Sequence, residues 1–530
     1  MMKWSEDKII AAALLLGARD VRGWTMDEER LTSRLPLLDS VTVDRLRCEI
    51  NDGNDPLGDI FCSLRPPAQR REHGATYTPL KIVRAMLAWA QSHAIPCRVV
   101  DPGLGSARFI LEAGRRFGRA ALIGSEIDPV AAIIARGNIA AAGLAPRAEI
   151  VLGDYRDLRL PRIDGKTLYV GNPPYVRHHL IPALWKEWLV REAARYDLQA
   201  SQLAGLHIHF FLSTVLKAKP GDFGCFITAA EWLDVNYGSL LRDLFLGVLG
   251  GQKIVVIEPT AMPFPDAITT AAITSFEVGS RPRSVRLKRI ESLDELRTAN
   301  GGRAIRRERL EAERRWSHFT RAARTEKDGY VELGELCRVH RGQVTGANKV
   351  WIAGQHSEGL PASVLFPSVT KARELIRAGL VLQDPSNLRR VIDLPVDLDV
   401  FNVEERRAVD RFLRLARKLG GADSYIAQNR KAWWSVGLRE PAPILATYMA
   451  RRPPAFVRNL ADARHINIAH GLYPREPLTE RMLTALVTYL ATATNVVDGR
   501  TYAGGLTKFE PREMERIFVP TPQLLGSLAA

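Results

Sequence analysis

A short segment after a predicted strand has the residue types needed to activate an aromatic amine. Asn172, Pro173, Pro174 and Tyr175 directly follow the apolar run 167–170. An exocyclic aromatic amine is a poor nucleophile because its lone pair is delocalised into the ring. The Asn172 amide oxygen and the Pro173 carbonyl can both accept hydrogen bonds from that NH2 group and free the lone pair, and the prolines hold these oxygens rigid. Tyr175 can stack on the planar base, so we expect these four residues to be catalytic.

A glycine-containing turn follows the predicted strand that ends at Asp101. Gly103 and Gly105 allow the chain to turn tightly and let a ligand approach the next helix without a Cβ clash. A dinucleotide-binding turn would have a third glycine three residues further on, but Arg108 occupies that position. The turn therefore indicates a ligand site and disfavours NAD. An ordinary connection between a strand and a helix is the alternative.

Two further acidic residues lie at the ends of the next predicted strands. Glu126 ends the second strand, where a carboxylate can accept hydrogen bonds from a ribose diol. Asp154 follows the third strand and can accept a hydrogen bond from an adenine amino group or cap the next turn. Because open α/β sheets bind ligands at the carboxyl ends of their strands, we expect Asp101, Glu126 and Asp154 to line one crevice.

These residues require a sheet whose strands end at one common edge. From residue 97 onward, short apolar runs alternate with amphipathic stretches, which is typical of a largely parallel sheet with right-handed crossovers. The predicted strands are 98–101, 120–126, 149–152, 167–170, 224–229, 253–257 and 269–276. The last two are joined by a Pro-rich loop with no room for a crossover helix, so they should pair antiparallel. The predicted fold class is α/β, with a mixed sheet that is mostly parallel and has one antiparallel strand.

The motifs together resemble those of class I S-adenosylmethionine-dependent N6-adenine DNA methyltransferases. The similarity lies in four segments of the same order and spacing, Asp101-Pro-Gly-Leu-Gly-Ser, Glu126-Ile-Asp-Pro, Gly153-Asp154 and Asn172-Pro-Pro-Tyr175. Residues 74–79 resemble the segment that precedes the glycine-rich motif in the gamma (TaqI-type) subclass. Ala107 is a departure, because many relatives have Gly there, and it predicts slightly tighter clearance at the cofactor. The resemblance is strong over 73–278 and implies a Rossmann-like fold, S-adenosylmethionine as cofactor and a flipped-out target base.

The resemblance also implies a role for each matched residue. The implied cofactor-binding residues are Thr78, Asp101, Gly103, Gly105, Glu126, Ile127, Asp154 and Tyr155. Glu126 would bind the ribose hydroxyls, Ile127 would pack on the cofactor adenine, and Asp154 would read its amino group. Phe264, in a segment similar to the one that packs on the target base, joins the catalytic set of Asn172 to Tyr175.

An excess of basic residues indicates nucleic acid as the partner. Lys and Arg number 74 against 59 Asp and Glu, which gives a net charge of +15. We predict a helical extension over 1–72, a catalytic domain over 73–300, a basic linker over 301–324 and an α+β target-recognition domain over 325–530. Segments 341–349 and 504–511 resemble target-recognition segments of related enzymes. The predicted DNA-binding residues are Arg341, Lys349, Arg451, Arg452 and Lys508.

The remaining features limit the alternatives. The five cysteines are scattered, and no Cys/His spacing typical of a metal site occurs, so we expect a reducing compartment and no metal. No apolar run reaches the ~20 residues that a bilayer span needs, so we expect a cytoplasmic protein without a membrane partner.

The predicted function is N6-adenine methylation of duplex DNA in a restriction–modification system, with a separate cognate restriction endonuclease as a further partner. Methylation of RNA or of a protein glutamine, and a modification subunit of a phage-defence system, are the alternatives.

Overall fold

The computed structural model divides the chain into two compact units. It describes residues 4–65, 77–258, 261, 263–264, 270–298, 301–320, 328–450, 452–496, 499–502 and 506–528. The first unit is Met1–Ala323 and the second is Arg324–Ala530. Each unit is built around hydrophobic clusters of its own.

The first unit combines a helical N-terminal segment with a layered α/β arrangement. Its helices are α1 (Glu6–Leu15), α2 (Met26–Arg30), α3 (Ser40–Asn51), α4 (Pro56–Leu64), α5 (Leu80–His93), α6 (Arg108–Arg116), α7 (Pro129–Ala141), α8 (Ala183–Ala194), α9 (Leu206–Lys217), α10 (Ser239–Leu246) and α11 (Arg307–Glu311). Its strands are β1 (Arg98–Asp101), β2 (Ala121–Glu126), β3 (Ala148–Leu152), β4 (Thr167–Gly171), β5 (Phe223–Ala229), β6 (Gly251–Ile257), β7 (Ala271–Glu277), β8 (Ser284–Ile290) and β9 (Arg303–Arg306).

The strands of the first unit form one mixed sheet in the order β3-β2-β1-β4-β5-β7-β6-β8-β9. β7 runs antiparallel to both β5 and β6, which confirms the predicted pairing of the strands on either side of the Pro-rich loop. Every residue of β1 and β4 is buried, as expected for parallel strands that are covered on both faces. Helices α5–α7 pack on one face of the sheet and α8–α10 on the other. The predicted fold, a mostly parallel sheet, is confirmed.

A crevice opens at the carboxyl ends of β1 and β4. β1 pairs in parallel with both β2 and β4, and the helices that follow β1 and β4 lie on opposite faces of the sheet. Such a switch point is where open α/β sheets bind ligands. A Cβ at Gly171 would lie 2.6 Å from Asp101 Oδ1, so a glycine is needed to let the two strand ends lie side by side.

The helical N-terminal segment packs closely onto the sheet domain. Helices α1, α3 and α4 share a hydrophobic cluster with α7. Glu28 of α2 and Arg136 of α7 form an ion pair at 2.6 Å in which both side chains are fully buried. A buried pair of this kind is costly to break, because the remaining charge would lack a partner. These helices therefore belong to the same compact unit as the sheet.

The prediction of a basic linker over 301–324 is wrong for the residues that the structure describes. Residues 303–306 form β9, a second antiparallel strand that pairs with β8 at the edge of the sheet. Ile305 is the single buried residue of this strand, and its arginines face outward. Trp316 and Phe319 are buried in the hydrophobic cluster on one face of the sheet. The arginine-rich composition hid this strand, because an edge strand needs few apolar residues to attach to a sheet.

The second unit has an α+β arrangement, as predicted. Its strands are β10 (Tyr330–Glu332), β11 (Cys337–Arg341), β12 (Leu365–Val369), β13 (Val381–Leu382), β14 (Arg389–Ile392), β15 (Ile444–Thr447), β16 (Met449–Ala450), β17 (Phe456–Asn459), β18 (Arg464–His465), β19 (Ala469–Pro474), β20 (Arg500–Tyr502), β21 (Leu506–Lys508) and β22 (Phe518–Pro520). Its helices are α12 (Leu333–Leu336), α13 (Asn348–Trp351), α14 (Ala372–Ala378), α15 (Val403–Lys418), α16 (Tyr425–Gln428), α17 (Glu480–Ala493), α18 (Pro511–Glu515) and α19 (Pro522–Leu528). Its largest sheet has the order β11-β19-β15-β17-β13, and α17 packs on it.

Across both units, none of the described helices is long and apolar enough to cross a membrane.

Candidate active site

A cleft at the carboxyl ends of β1 to β4 brings together most of the predicted site residues. Those that line it are Thr78, Gly103, Gly105, Glu126, Ile127, Asp154, Tyr155, Asn172 and Pro174. Phe61 and Arg65, which the sequence reasoning missed, also line this cleft from the N-terminal segment. Of the predicted cofactor-binding and catalytic residues, those that are not part of its lining are Asp101, Pro173, Tyr175 and Phe264.

The turn after β1 is shaped by two residues in the left-handed region of backbone conformation. Gly105 has a φ of +52° and Ala107 has a φ of +74°. Ala107 directly precedes α6 and is fully buried. For a residue with a Cβ this conformation costs about 1–2 kcal/mol. A glycine at this position would adopt the same conformation without that cost.

Glu126 organises the main chain on both sides of the cleft. Its Oε2 accepts a hydrogen bond from Gly105 N at 2.8 Å, and its Oε1 accepts from Ile127 N at 2.8 Å and Asp128 N at 3.0 Å. Burial raises the pKa of Glu126, although the hydrogen bonds from these amides oppose the shift. The carboxyl group thus fixes the glycine turn relative to the start of α7 while it lines the cleft.

Asp101 is a buried acid with unused hydrogen-bonding capacity. Its Oδ1 accepts from Gly103 N at 3.2 Å, whereas its buried Oδ2 has no hydrogen-bond partner among the described residues. Burial raises the pKa of Asp101 to about 8, and the nearby carboxylate of Glu126 adds to the shift. An acid held in this way favours either a proton or a cationic group beside it.

Asp101 should make the stability of the cofactor-free protein fall as the pH rises. The folded-state pKa is about 8 against 3.8 for the free acid, so the folded state holds one more proton between these values. The contribution of this group to the free energy of unfolding is fully present below pH 4. It is lost progressively up to pH 8, by at most about 1.4 kcal/mol per pH unit. Asp101→Asn cannot ionise, so the variant should gain stability over the unmodified chain from pH 5 to 8. Urea unfolding of both proteins across this range measures the difference, and parallel curves would contradict the prediction.

Asp154 is held by an arginine that the sequence reasoning did not single out. Arg156 Nε lies 2.9 Å from Asp154 Oδ1 and Arg156 Nη2 lies 2.6 Å from Oδ2, while the guanidinium stacks over the Trp185 ring at 3.7 Å. Desolvation opposes the charge of Asp154, but the hydrogen bonds from Arg156 outweigh it and lower the pKa of this carboxyl. His209 Nδ1 lies 3.4 Å from Arg156 Nη1, and burial lowers the pKa of His209 to about 3. The imidazole is therefore neutral and adds no second positive charge.

Asn172 is oriented by the hydroxyl of Thr78. β4 ends at Gly171, which puts Asn172 at the mouth of the crevice beside the end of β1. Asn172 Nδ2 donates a hydrogen bond to Thr78 Oγ1 at 3.0 Å. This hydrogen bond fixes the orientation of the amide, whose oxygen is the atom that can accept from a substrate. Two residues that were predicted for different roles thus form one arrangement.

Tyr175 and Phe264 contact each other directly. Their ring centroids lie 5.8 Å apart at an interplanar angle of 70°, and Phe264 is only 2% exposed. The Tyr175 hydroxyl is buried and has no hydrogen-bond partner among the described residues, and burial raises its pKa well above the ordinary value. The two rings therefore meet, as expected for one site, but they pack edge to face rather than as two parallel plates.

In the second unit, two of the predicted DNA-binding residues lie around one tyrosine. The Arg341 guanidinium and the Lys508 ammonium are each 5.8 Å from the Tyr448 ring centroid. Tyr448 in turn stacks on His470 at 4.6 Å. The remaining predicted residues, Lys349 and Arg452, are exposed, and Arg451 lies outside the described residues.

The sheet order and the cleft define the class I methyltransferase fold. The first seven strands have the order β3-β2-β1-β4-β5-β7-β6 with β7 antiparallel, and the predicted cofactor and catalytic motifs lie at the carboxyl ends of β1 to β4. The same fold is found in the Type IIL restriction-modification enzyme MmeI, solved in complex with DNA. The TM-score is 0.51 at 14% sequence identity, over 91% of this chain and 75% of that one.

Comparison with known sequences shows the family. Residues 168–258 match the Eco57I restriction-modification methylase family, and residues 315–529 match the C-terminal domain of Type II methyltransferase M.Eco57I. Type II methyltransferase M.XamI of Xanthomonas campestris pv. amaranthicola is 51% identical over 98% of this chain and 99% of its own length. A tRNA1(Val) (adenine(37)-N6)-methyltransferase of Porphyromonas gingivalis is 37% identical over 18% of this chain and 39% of its own. The chain belongs to the Type II methyltransferases, the DNA methylases of restriction–modification systems.

Proposed function

We propose that the chain transfers a methyl group from S-adenosylmethionine to N6 of an adenine in duplex DNA. The observation that carries this proposal is the convergence of Asn172, held by Thr78, with Glu126 on one cleft at the carboxyl edge of the sheet. An amide oxygen in a rigid Asn-Pro-Pro segment suits an exocyclic aromatic amine. The relative from Porphyromonas gingivalis, whose name specifies N6 of adenine, supports the choice of atom.

The residues of the cleft fit a cofactor that has a cationic amino-acid end and an adenosine end. Asp101 does not line the cleft, but it accepts from the main-chain amide of Gly103, which does, and its buried Oδ2, without a partner among the described residues, suits an ammonium group. Glu126 offers carboxylate oxygens for ribose hydroxyls, and Ile127 beside it is 51% exposed and offers an apolar face for a purine. When bound, S-adenosylmethionine supplies an electrophilic methyl group on a sulfonium sulfur. Thr78, Gly103, Gly105, Asp154 and Tyr155 complete the proposed cofactor site.

The catalytic residues bind and orient the target amine. Asn172 Oδ1 and the Pro173 carbonyl accept hydrogen bonds from the N6 amino group, so that its lone pair is no longer fully shared with the ring. Pro174 keeps the segment rigid. The target base must leave the duplex at a cost of a few kcal/mol, and Tyr175 and Phe264 exchange their mutual contact for the base. Stacking of about 1–3 kcal/mol for each base helps to offset that cost.

The proposed DNA contacts lie in the second unit, which is the proposed target-recognition domain. Arg341 and Lys508, arranged around Tyr448, bind the DNA together with Lys349, Arg451 and Arg452. The net charge of +15 supports a polyanionic partner, because counterion release on binding favours association. The proposed biological role is modification in the cytoplasm, where methylation protects sites that a separate cognate endonuclease would cut.

Mapping of methylated bases tests this proposal. The chain is expressed in cells that lack adenine methylation, and their genomic DNA is sequenced for modified bases. We expect N6-methyladenine at one recurrent short sequence, and transfer of labelled methyl groups by the purified chain to duplex DNA in preference to tRNA. Methylation of cytosine, or a preference for tRNA over DNA, would overturn the proposal.

A further inference from the structure

A carboxylate of the N-terminal segment reaches the turn that borders the cleft. Asp55, the N-cap residue of α4, is 2% exposed. Its Oδ1 accepts from Gly58 N at 2.9 Å and from Asn138 Nδ2 at 3.0 Å, and its Oδ2 accepts from Arg108 Nε at 2.7 Å and from the Ser106 hydroxyl. Four donors converge on one buried carboxyl group, which is more than the capping of a short helix needs.

Arg108 connects Asp55 to Thr78 by hydrogen bonds. Its Nη1 donates to the Thr78 carbonyl oxygen at 3.1 Å, and its Nη2 donates to Asp59 Oδ1 at 2.6 Å. The guanidinium also lies over the Tyr77 ring at 5.4 Å. A planar guanidinium can donate in several directions at once, so Arg108 fixes the main chain of Thr78 relative to Asp55. This is the residue that stands where a dinucleotide-binding turn would have glycine.

Thr78 completes the connection to the catalytic segment. Its carbonyl oxygen accepts from Arg108, and its hydroxyl accepts from Asn172 Nδ2 at 3.0 Å. Both contacts belong to one residue that is 3% exposed, so a shift of its main chain moves the hydroxyl with it. The path from Asp55 to Asn172 therefore consists of three hydrogen bonds through two intermediate residues, Arg108 and Thr78.

We infer that Asp55 and Arg108 are positioning residues for the methyl transfer, and that they act by holding Thr78 so that its hydroxyl orients the amide of Asn172. The N-terminal segment is on this account a part of the catalytic machinery rather than an independent appendage. The inference rests on the proposed function and deepens it. Displacement of a reacting group by about 1 Å can cost 10²-fold in rate, so a loosened Thr78 should lower the rate more than the affinity for the cofactor.

Three substitutions in the full-length chain test the inference. Arg108→Lys keeps the charge but cannot serve Asp55 and the Thr78 carbonyl together, and Thr78→Val removes the hydroxyl but keeps the branched shape. Asp55→Asn is isosteric and serves as a second probe of the same path. We expect each to lower kcat for methylation of duplex DNA, by about 10- to 100-fold for the first two. The Kd for S-adenosylmethionine should change less than about threefold in Arg108→Lys and Asp55→Asn, whose residues are not in the proposed cofactor site.

Two comparisons separate positioning from plain structural support. Arg116→Lys is the matched control, since Arg116 lies on the same helix and pairs with Glu112 at 2.9 Å, and it should leave kcat within about twofold. Thr78→Ser should recover most of the loss that Thr78→Val causes. Because Arg108 is inferred to act through the Thr78 hydroxyl, the double variant Arg108→Lys/Thr78→Val should be no slower than Thr78→Val alone.

The outcomes distinguish the inference from the proposed function. Failure of the unmodified chain to methylate adenine N6 would overturn both. Normal methylation by the unmodified chain, together with unchanged kcat in Arg108→Lys, would overturn the inference alone. Additive losses in the double variant, or a loss that appears only as a raised Kd or a lowered melting temperature, would also overturn it.

Discussion

Asn172→Ala is expected to reduce methyl transfer to DNA by at least about 10²–10³-fold while the cofactor still binds. The substitution removes the side-chain oxygen that would accept from the target amine, and it removes the hydrogen bond from Asn172 Nδ2 to Thr78 Oγ1. The glycine turn does not depend on the Asn172 side chain, because Glu126 holds the main-chain amides of Gly105 and Ile127. The chemical step should therefore fail in a site that is otherwise intact.

Single-turnover transfer and cofactor titration measure the two effects separately. Asn236, an exposed asparagine of the same unit that does not line the cleft, offers a matched control, and Asn236→Ala should behave like the unmodified chain. Asn172→Asp keeps an oxygen acceptor at the same place and should retain more activity than Asn172→Ala. Methylation by Asn172→Ala at the normal rate would show that the proposed mechanism is wrong.

Glu126→Ala is expected to produce the opposite pattern, with cofactor affinity lost and the chemistry spared. The carboxyl group accepts hydrogen bonds from the main-chain amides of Gly105, Ile127 and Asp128, and in the proposed complex it also binds the ribose. Hydrogen bonds to a charged group contribute roughly 1.5–3 kcal/mol each, which corresponds to about 10- to 100-fold in Kd for each one lost. We expect the Kd for S-adenosylmethionine to rise by about 100-fold or more.

The rate at saturating cofactor gives the discriminating measurement for this variant. The Asn172 arrangement is held by Thr78 and not by Glu126, so the rate at saturation should fall by less than about tenfold. Glu126→Gln retains one oxygen acceptor and the volume of the side chain, and its Kd should lie between those of the other two proteins. A Kd that stays unchanged in Glu126→Ala would remove Glu126 from the cofactor site.

Much of the first unit could be predicted because its signals are local. The strands are short apolar runs at regular spacing, so β1 to β7 and the antiparallel pairing of β6 with β7 could be predicted from the sequence. Asp101, Glu126 and Asn172 each lie at or just beyond a strand end, and parallel strands place such ends at one edge. The cleft lining therefore contains most of the residues that the motifs indicated.

Prediction from the sequence failed for segments whose composition differs from their structural role. Residues 303–320 are rich in arginine, yet they add β9 to the sheet and bury Trp316 in its hydrophobic cluster. Only Ile305 of that strand needs to be apolar, so the hydrophobic pattern was too sparse to detect. Arg156 was missed for a different reason, because nothing in its neighbours along the chain signals that its guanidinium folds back onto Asp154.

The sequence by itself determined the class of fold, the order of the motifs and the chemistry of their side chains. The tertiary structure alone decided how these residues hold one another. Asp55 and Arg108 are 53 positions apart, and Thr78 and Asn172 are 94 apart, yet each pair is joined by a hydrogen bond of 3.0 Å or less. Contacts over such separations depend on how helices pack against the sheet. A local pattern reports the period of an element and the chemistry at its ends, but it carries no information about which distant side chain will fill the space beside it.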